Sequence, residues 1–187
     1  MTDLDTHDSA AGRRSGWGGV AVVALAAGIV FFDQITKQWV RDGFALGESR
    51  PVIDGFFNLT YVRNSGAAWG MFRDYPSVLI VLSFVMLALM VIFRRSFLSD
   101  TWDHALAMAL MVGGIVGNLL DRIRLSAVTD FLDFHVRGWH WPAFNVADAA
   151  ICIGVGIYIL SAFWIEAHPL KENGVQPDPD ADSGTPA

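Results

Sequence analysis

A cluster of carboxylate and carboxamide side chains lies between two strongly apolar segments of the chain, within residues 113–150. Its members are Asn118, Asp121, Arg122, Asp130, Asp133, Asn145 and Asp148. Ionisable groups at or near a bilayer are costly, so their presence indicates a functional site. Two aspartates that share a poorly solvated site can divide the work of hydrolysis, because one stays ionised and activates water while the other stays protonated and assists the carbonyl oxygen. We therefore interpret the cluster as a site where two aspartates hydrolyse a bond at a membrane surface.

Asp148 is the first member of the expected pair, because it lies about one helical turn inside the last apolar segment and cannot face lipid cheaply. Asn145 precedes it by three residues and shares its helix face. The candidate partners of Asp148 are Asp121, Asp130 and Asp133.

The neighbours of the three candidates favour one of them without excluding the others. Asp121 stands beside Arg122, and an ion pair between them suits a structural role. Asp133 could pair with His135 on one side of an extended segment. Asp130 has no basic neighbour and lies among apolar residues, where desolvation raises the pKa of a carboxyl group. The residues alone favour Asp130 as the partner, with Asp121 as the alternative.

Other chemistries fit the sequence less well. His135 and His140 are available as metal ligands, but no HExxH or CxxC motif is present, and no serine or cysteine lies in a nucleophile motif. The alternative from a different class is a small proton- or ion-coupled transporter or channel subunit with an intramembrane carboxylate relay. The polar residues gather at one membrane face instead of following a path across, which disfavours this alternative.

The composition indicates a membrane protein. The 187 residues are 53% hydrophobic, and the mean hydropathy is +0.40, which is too apolar for a soluble domain. The net charge of −6 gives no reason to expect nucleic-acid binding, and the single cysteine, Cys152, provides no disulfide framework.

Apolar runs predict four transmembrane helices at about residues 17–40, 75–93, 104–123 and 146–165. The tails, residues 1–16 and 166–187, are polar and predicted to be disordered, the second being acidic. Four spans place both termini on one side, but arginines flank both sides, so charge leaves the orientation open.

The connecting segments predict elements outside the bilayer. Residues 41–74 contain a β-prone run followed by the turn NSGAA, in which Asn64 and Gly66 lie, so we expect a small sheet there. Residues 124–144 are rich in aromatic residues and predict an interfacial element over the site. Asp33 and Lys37, four residues apart near the end of the first span, predict an ion pair.

Five motifs together resemble the lipoprotein signal peptidase family, also called signal peptidase II or prolipoprotein signal peptidase. They are DQITK (33–37), VRNSGAAWGMF (62–72), GNLLDR (117–122), VTDF (128–131) and FNVADAAI (144–151). The likeness extends over about residues 17–165 and leaves both tails outside.

The resemblance implies a fold and a location. The fold is an α-helical integral membrane protein with four transmembrane helices, a small extracytoplasmic β-cradle and an interfacial helix. The location is the bacterial cytoplasmic (inner) membrane, with cytoplasmic termini and the active site near the extracytoplasmic face.

The resemblance also implies an activity. It is that of a membrane aspartic endopeptidase, which cleaves the signal peptide from diacylglyceryl-modified prolipoproteins just before the lipidated cysteine and is the target of globomycin. The catalytic pair falls on Asp130 and Asp148. Site-lining and substrate-binding positions fall on Asn64, Gly66, Asn118, Arg122 and Asn145, and supporting positions on Asp33, Lys37 and Asp121. No cofactor or metal is implied, the partners are the prolipoprotein and membrane lipid, and we expect a monomer.

Overall fold

The structure, a computed structural model, describes residues 15–67, 71–72, 75–94 and 102–167. Almost all of the two tails predicted to be disordered therefore lies outside the described residues.

Four apolar helices and a small antiparallel sheet make up the described chain. The helices are α1 (Ser15–Gly43), α2 (Pro76–Ile92), α3 (Trp102–Leu125) and α4 (Val146–Ala167). The strands are β1 (Ser49–Ile53), β2 (Phe57–Asn64), β3 (Val128–Val136) and β4 (Trp139–His140), and they pair in the order β1-β2-β3-β4. The predicted class, a helical membrane protein with a small sheet, is confirmed.

Three of the helices are long and apolar enough to cross a membrane by length and composition: Gly19–Gly43 in α1, Trp102–Leu125 in α3 and Val146–Trp164 in α4. α2 is apolar but has 17 residues, or roughly 25 Å, which is at the lower end of the length that spans a bilayer. Large apolar side chains such as Val23, Val81 and Leu160 are exposed on the helix surfaces, as lipid-facing residues are.

Small residues bring the backbones of α1, α3 and α4 together. A Cβ atom added to Gly113 would lie 2.9 Å from the carbonyl oxygen of Ala26, and one added to Gly114 would lie 2.4 Å from that of Ala147. Such approaches exclude any side chain, and they are typical of helix packing in membranes. α3 therefore lies between α1 and α4 and is the central helix of the bundle.

Residues 124–144 were predicted to form an interfacial element, and in the structure they are mainly extended. After α3 ends at Leu125, these residues form β3 and β4, and β3 adds a third strand to the sheet expected from residues 41–74 alone. The first four residues of β3 are buried on both faces, so the sequence lacks the alternation by which a half-buried strand is recognised. A core formed by Val40, Phe44 and Phe131 fixes the sheet against the end of α1.

A glycine pair on α4 tests this close packing. A Cβ atom on Gly154 would lie 2.8 Å from the carbonyl oxygen of Ala107 in α3, whereas one on Gly156 would meet nothing within 4 Å. We expect Gly154→Ala to destabilise the protein by about 1–3 kcal/mol, because backbone must move to admit the methyl group. Gly156→Ala is the matched control and should leave stability unchanged or slightly raised. Thermal unfolding in detergent measures both; equal midpoints would contradict the packing described.

Candidate active site

Asp130 and Asp148 line one cavity of about 560 Å³ at the junction of the sheet and the helix bundle. Asp130 lies on β3, and Asp148 lies in the first turn of α4. The polar part of the wall is completed by Asn64, Asn118 and Arg122. The apolar part comes from the helices, and includes Leu79, Leu82, Met86, Ile115 and Ile151.

Asn145 binds both aspartates. Its side-chain Oδ1 accepts a hydrogen bond from the backbone N–H of Asp148 at 3.0 Å, and Oδ2 of Asp148 accepts from the backbone N–H of Asn145 at 3.2 Å. This reciprocal pair is a capping box that starts α4. The side-chain Nδ2 of Asn145 donates to Oδ1 of Asp130 at 2.7 Å. The residue that starts the helix therefore also brings the two carboxyl groups together.

Two further asparagines supply the remaining contacts of the pair. Nδ2 of Asn64 donates to Oδ2 of Asp130 at 3.0 Å, and Nδ2 of Asn118 donates to Oδ1 of Asp148 at 2.7 Å. Each of the four carboxyl oxygens thus accepts one hydrogen bond. An oxygen can accept a second one, so both groups retain capacity for a water molecule or a substrate.

The turn that carries Gly66 orients two of the cavity side chains. The backbone N–H of Gly66 donates to Oδ1 of Asn64 at 3.0 Å, so the amide of Asn64 must present its NH₂ group to Asp130. The carbonyl oxygen of Gly66 accepts a long hydrogen bond from Nη2 of Arg122 at 3.4 Å. Gly66 lines the cavity itself and also holds its neighbours.

Burial raises the pKa of Asp130 to about 7, with the negative charge of Asp148 as the next cause, while the hydrogen bonds from Asn64 and Asn145 oppose the rise. The residue is only 2% exposed. Near neutral pH its carboxyl group is therefore present in both the protonated and the ionised form.

A second set of buried charges lies behind the pair. Nζ of Lys37, a fully buried residue, lies 2.9 Å from Oδ2 of Asp33 and 3.6 Å from Oδ2 of Asp121. The ion pair predicted between Asp33 and Lys37 is therefore present, and Asp121 joins it. The same Nζ donates to Oδ1 of Asn118 at 2.8 Å.

Each acid of this second set also binds the backbone next to a cavity aspartate. Oδ1 of Asp33 accepts from the N–H of Ala147 at 2.9 Å, one residue before Asp148. Oδ2 of Asp121 accepts from the N–H of Thr129 at 3.0 Å, one residue before Asp130. Asp121 therefore lies outside the cavity, behind Asp130 and Asp148, and it holds the start of β3 in position.

Two side-chain pairs that were predicted between residues close in the sequence do not form, for geometric reasons. Asp121 does not pair with Arg122, because consecutive helical residues point in different directions; Arg122 lines the cavity, while Asp121 faces Lys37. Asp133 pairs with His140 on β4, whose Nδ1 lies 2.9 Å from Oδ1 of Asp133, and His135 instead stacks on that ring. Asp133 does not line the cavity.

Sequence reasoning missed two side chains of α1 that bind the second set from partly exposed positions. Nε2 of Gln34 donates to Oδ2 of Asp33, to the carbonyl oxygen of Gly117 and to Oδ1 of Asp121, at 3.1–3.2 Å. Nη1 of Arg41 donates to Oγ1 of Thr129 at 3.0 Å and lies 3.7 Å from Oδ1 of Asp121. Residues 34, 37 and 41 are spaced for one helix face, and this spacing was the available signal.

In the described residues, no group of three or more histidine, cysteine, aspartate or glutamate side chains is arranged to hold a metal ion.

The sequence and the fold of this chain are similar to those of known proteins. The sequence pattern of a family described as signal peptidase (SPase) II matches residues 25–164, a range that includes every cavity and second-set residue described above. The chain belongs to the signal peptidase II family. Membership makes it a membrane-embedded bacterial peptidase, and hence a hydrolase.

Relatives and solved structures agree with signal peptidase II membership. The chain is 44% identical over 137 residues to the lipoprotein signal peptidase of Geobacter sulfurreducens, covering 72% of this chain and 86% of that protein. It is 43% identical over 162 residues to the lipoprotein signal peptidase of Yersinia pestis, covering 82% and 91%. A solved structure described as a bacterial membrane enzyme has a TM-score of 0.74 at 32% identity, over 84% of this chain and 95% of that one. A second has a TM-score of 0.69 at 31% identity, over 76% and 92%.

The two roles of Asn145 can be separated by substitution. Serine caps helices as well as asparagine does, but it is shorter and lacks the NH₂ group by which Asn145 donates to Asp130. Asn145→Ala loses the cap as well, so we expect it to be less stable than Asn145→Ser by about 1 kcal/mol. Thermal unfolding of the two purified variants in detergent measures the difference. Equal stability would show that the cap contributes nothing to α4.

Proposed function

We propose that this chain is an aspartic endopeptidase that removes the signal peptide from diacylglyceryl-modified prolipoproteins, cutting just before the lipidated cysteine. The observation that carries the proposal is the pair of buried aspartates, Asp130 and Asp148, joined through Asn145 in a cavity at the end of the helix bundle. The names of the relatives, lipoprotein signal peptidases, support the substrate class.

The surroundings of the two aspartates support different roles. Asp148 lies at the third position of α4, where the helix N-terminus favours negative charge, so it is the ionised base. Asp130, with its pKa raised by burial, is the protonated acid. The two groups titrate as a coupled pair, so the assignment describes the state of the pair that carries one proton.

The reaction follows from these roles. Asp148 takes a proton from water as the water oxygen bonds to the carbonyl carbon, and Asp130 gives its proton to the carbonyl oxygen, which forms a neutral tetrahedral diol. The carbon–nitrogen bond then breaks as Asp148 passes its proton to the leaving amine. Asp130 recovers a proton from the diol hydroxyl, so a carboxylic acid and an amine leave and the pair returns to its first state.

The shape of the cavity supports a lipid-bearing substrate. Its apolar wall is formed largely by α2, α3 and α4, which include Leu82, Met86, Ile115 and Ile151, and its polar groups gather around the aspartates. Apolar signal-peptide residues and acyl chains suit the first part, and the peptide bond suits the second. Arg122 and Asn64, at the polar edge, are the proposed substrate-binding groups beside Asn118 and Asn145.

The polar cluster and the sheet lie at the same end of the bundle, since both adjoin the C-terminal ends of α1 and α3 and the N-terminal end of α4. We assign this end to the extracytoplasmic face of the cytoplasmic membrane, which puts both termini in the cytoplasm. The domain is proposed to act as a monomer in lipid, with neither cofactor nor metal.

The transporter alternative lacks an observation in its favour. The cluster at the opposite end of the bundle consists of Val22, Met90, Ala107, Met108, Ala109 and Met111. In the described residues the buried carboxylates all lie at the end of the bundle that carries the sheet, and His104 is the only buried ionisable side chain at the other end, so these groups do not form a relay across the membrane. Ion flux through reconstituted vesicles without any prolipoprotein cleavage would reverse this choice.

Substitution of the aspartates tests the proposal. Asp130→Asn and Asp148→Asn keep the size of each side chain but remove the acid and the base, so each should lower cleavage of a diacylglyceryl-modified prolipoprotein at least about a thousandfold. Asp133→Asn is the matched control on the same strand, and it should retain activity because Asp133 faces His140 outside the cavity. A gel-shift assay on purified, folded variants measures cleavage. Full activity in Asp130→Asn would move the pair to another carboxylate.

The pH dependence tests the role of Asp130. Because its pKa is raised to about 7, its proton is present below that pH and lost above it, so kcat should fall as the pH rises through about 7 to 8. Steady-state cleavage from pH 5 to pH 9 at saturating substrate measures this limb. A rate that stays constant to pH 9 would exclude Asp130 as the catalytic acid.

A further inference from the structure

Lys37 fixes which way the amide of Asn118 points. The ammonium group of Lys37 can only donate hydrogen bonds, and Nζ lies 2.8 Å from Oδ1 of Asn118. The oxygen of the amide must therefore face Lys37, which leaves the NH₂ group to donate to Oδ1 of Asp148 at 2.7 Å. A hydrogen bond from Nδ2 of Asn145 to the same oxygen of Asn118, at 3.2 Å, reinforces this orientation.

We infer that Lys37 is a positioning residue that acts through Asn118 to keep Asp148 as the ionised, water-activating member of the pair. The inference rests on the proposed aspartic mechanism and adds to it a group outside the cavity that helps to keep the single proton of the pair on Asp130. Lys37 does not line the cavity, and its hydrogen-bonded connection to Asp148 runs through the amide of Asn118.

The charges around the site agree with this role. The cations that contact these acids or line the cavity are Lys37 and Arg41 from α1 and Arg122 from α3. Arg124, an exposed residue of α3, reaches the cluster only through Gln34, at 3.5 Å. The acids are Asp33 from α1, Asp121 from α3, Asp130 from β3 and Asp148 from α4. Three cations balance three anions when one acid of the catalytic pair is protonated. A net charge in a buried cluster is costly, so the surroundings favour the singly protonated pair that the reaction needs.

Removal of Lys37 would release the amide. Asn118 could then turn its oxygen toward Asp148, and an amide oxygen beside a carboxylate favours the protonated acid over the ionised base. The enzyme would keep its fold and its substrate cavity, but the base would be available only at higher pH.

The test removes Lys37 together with the charge of Asp33, and Arg41 remains as the partner of Asp121. Lys37→Met alone leaves Asp33 without its partner and can fail to fold. The double variant Asp33→Asn/Lys37→Met keeps the net charge of the cluster and replaces each side chain by one of similar size. Thr36→Val is the control on the same helix, because the Thr36 hydroxyl bonds only carbonyl oxygens of its own helix.

We expect the double variant to lower kcat about tenfold or more with little change in KM, and to move the acidic limb of the pH–rate profile to higher pH by about one pH unit. Thr36→Val should behave as the unchanged protein. Adding Asn118→Leu to the double variant should cost much less than Asn118→Leu costs alone, because both changes remove one interaction with Asp148. Cleavage kinetics of a diacylglyceryl-modified prolipoprotein from pH 4 to pH 9 measure all four variants.

Two results would overturn the inference. One is a double variant with unchanged kinetics. The other is a loss of kcat with an unmoved acidic limb and an effect that simply adds to that of Asn118→Leu, since a purely structural role predicts that pattern. Both results are distinct from failure of the proposed function, which would appear as retained cleavage in Asp130→Asn or Asp148→Asn.

Discussion

The ammonium group of Lys37 is buried and must therefore be bound by oxygen atoms. The acids that bind it also position the elements that carry Asp130 and Asp148. The acids that neutralise it, Asp33 and Asp121, use their remaining hydrogen-bonding capacity on the backbone N–H groups of Ala147 and Thr129. Those two residues immediately precede Asp148 and Asp130. One charge cluster thereby fixes the start of α4 and the start of β3 relative to α1 and α3, and the geometry of the pair follows from it.

The helices can share these charges only because α3 has almost no side chain where it crosses its neighbours. A Cβ atom on Gly117 would lie 2.6 Å from Oδ2 of Asp33, inside the space that the carboxylate needs. Nearby, Gly113 and Gly114 admit the backbones of α1 and α4. Small residues in membrane helices are usually explained by close packing alone. In this bundle one of them also leaves room for a buried ion pair, so packing and electrostatics depend on the same positions.

Much of this arrangement could be predicted from the sequence, and the failures have physical causes. Long apolar runs predicted the helices, and the lack of a basic neighbour favoured Asp130 over Asp121 as the partner of Asp148; Asp130 lines the same cavity as Asp148, and Asp121 does not. The strand β3 was missed because it is buried on both faces. The partners of Asp121 were missed because they come from α1, about eighty residues earlier in the chain. Contacts within one helix turn are visible in a sequence, whereas contacts between distant elements require the fold.

The capping box of α4 holds Asp148 at the very start of an apolar helix. Asp148 is two residues inside the span that begins at Val146, so its backbone lies only about 3 Å below the end of the apolar helix. The depth of the helix is set by the hydrocarbon thickness, and Asp148 moves with it. Under the proposed mechanism, in which Asp148 is the base, a peptide bond is cut only where it reaches the boundary between hydrocarbon and headgroups. An enzyme that selects a bond by its depth in the membrane needs few contacts with the side chains of the peptide. Such a site can accept many peptide sequences, provided that their membrane anchors hold them at the same depth.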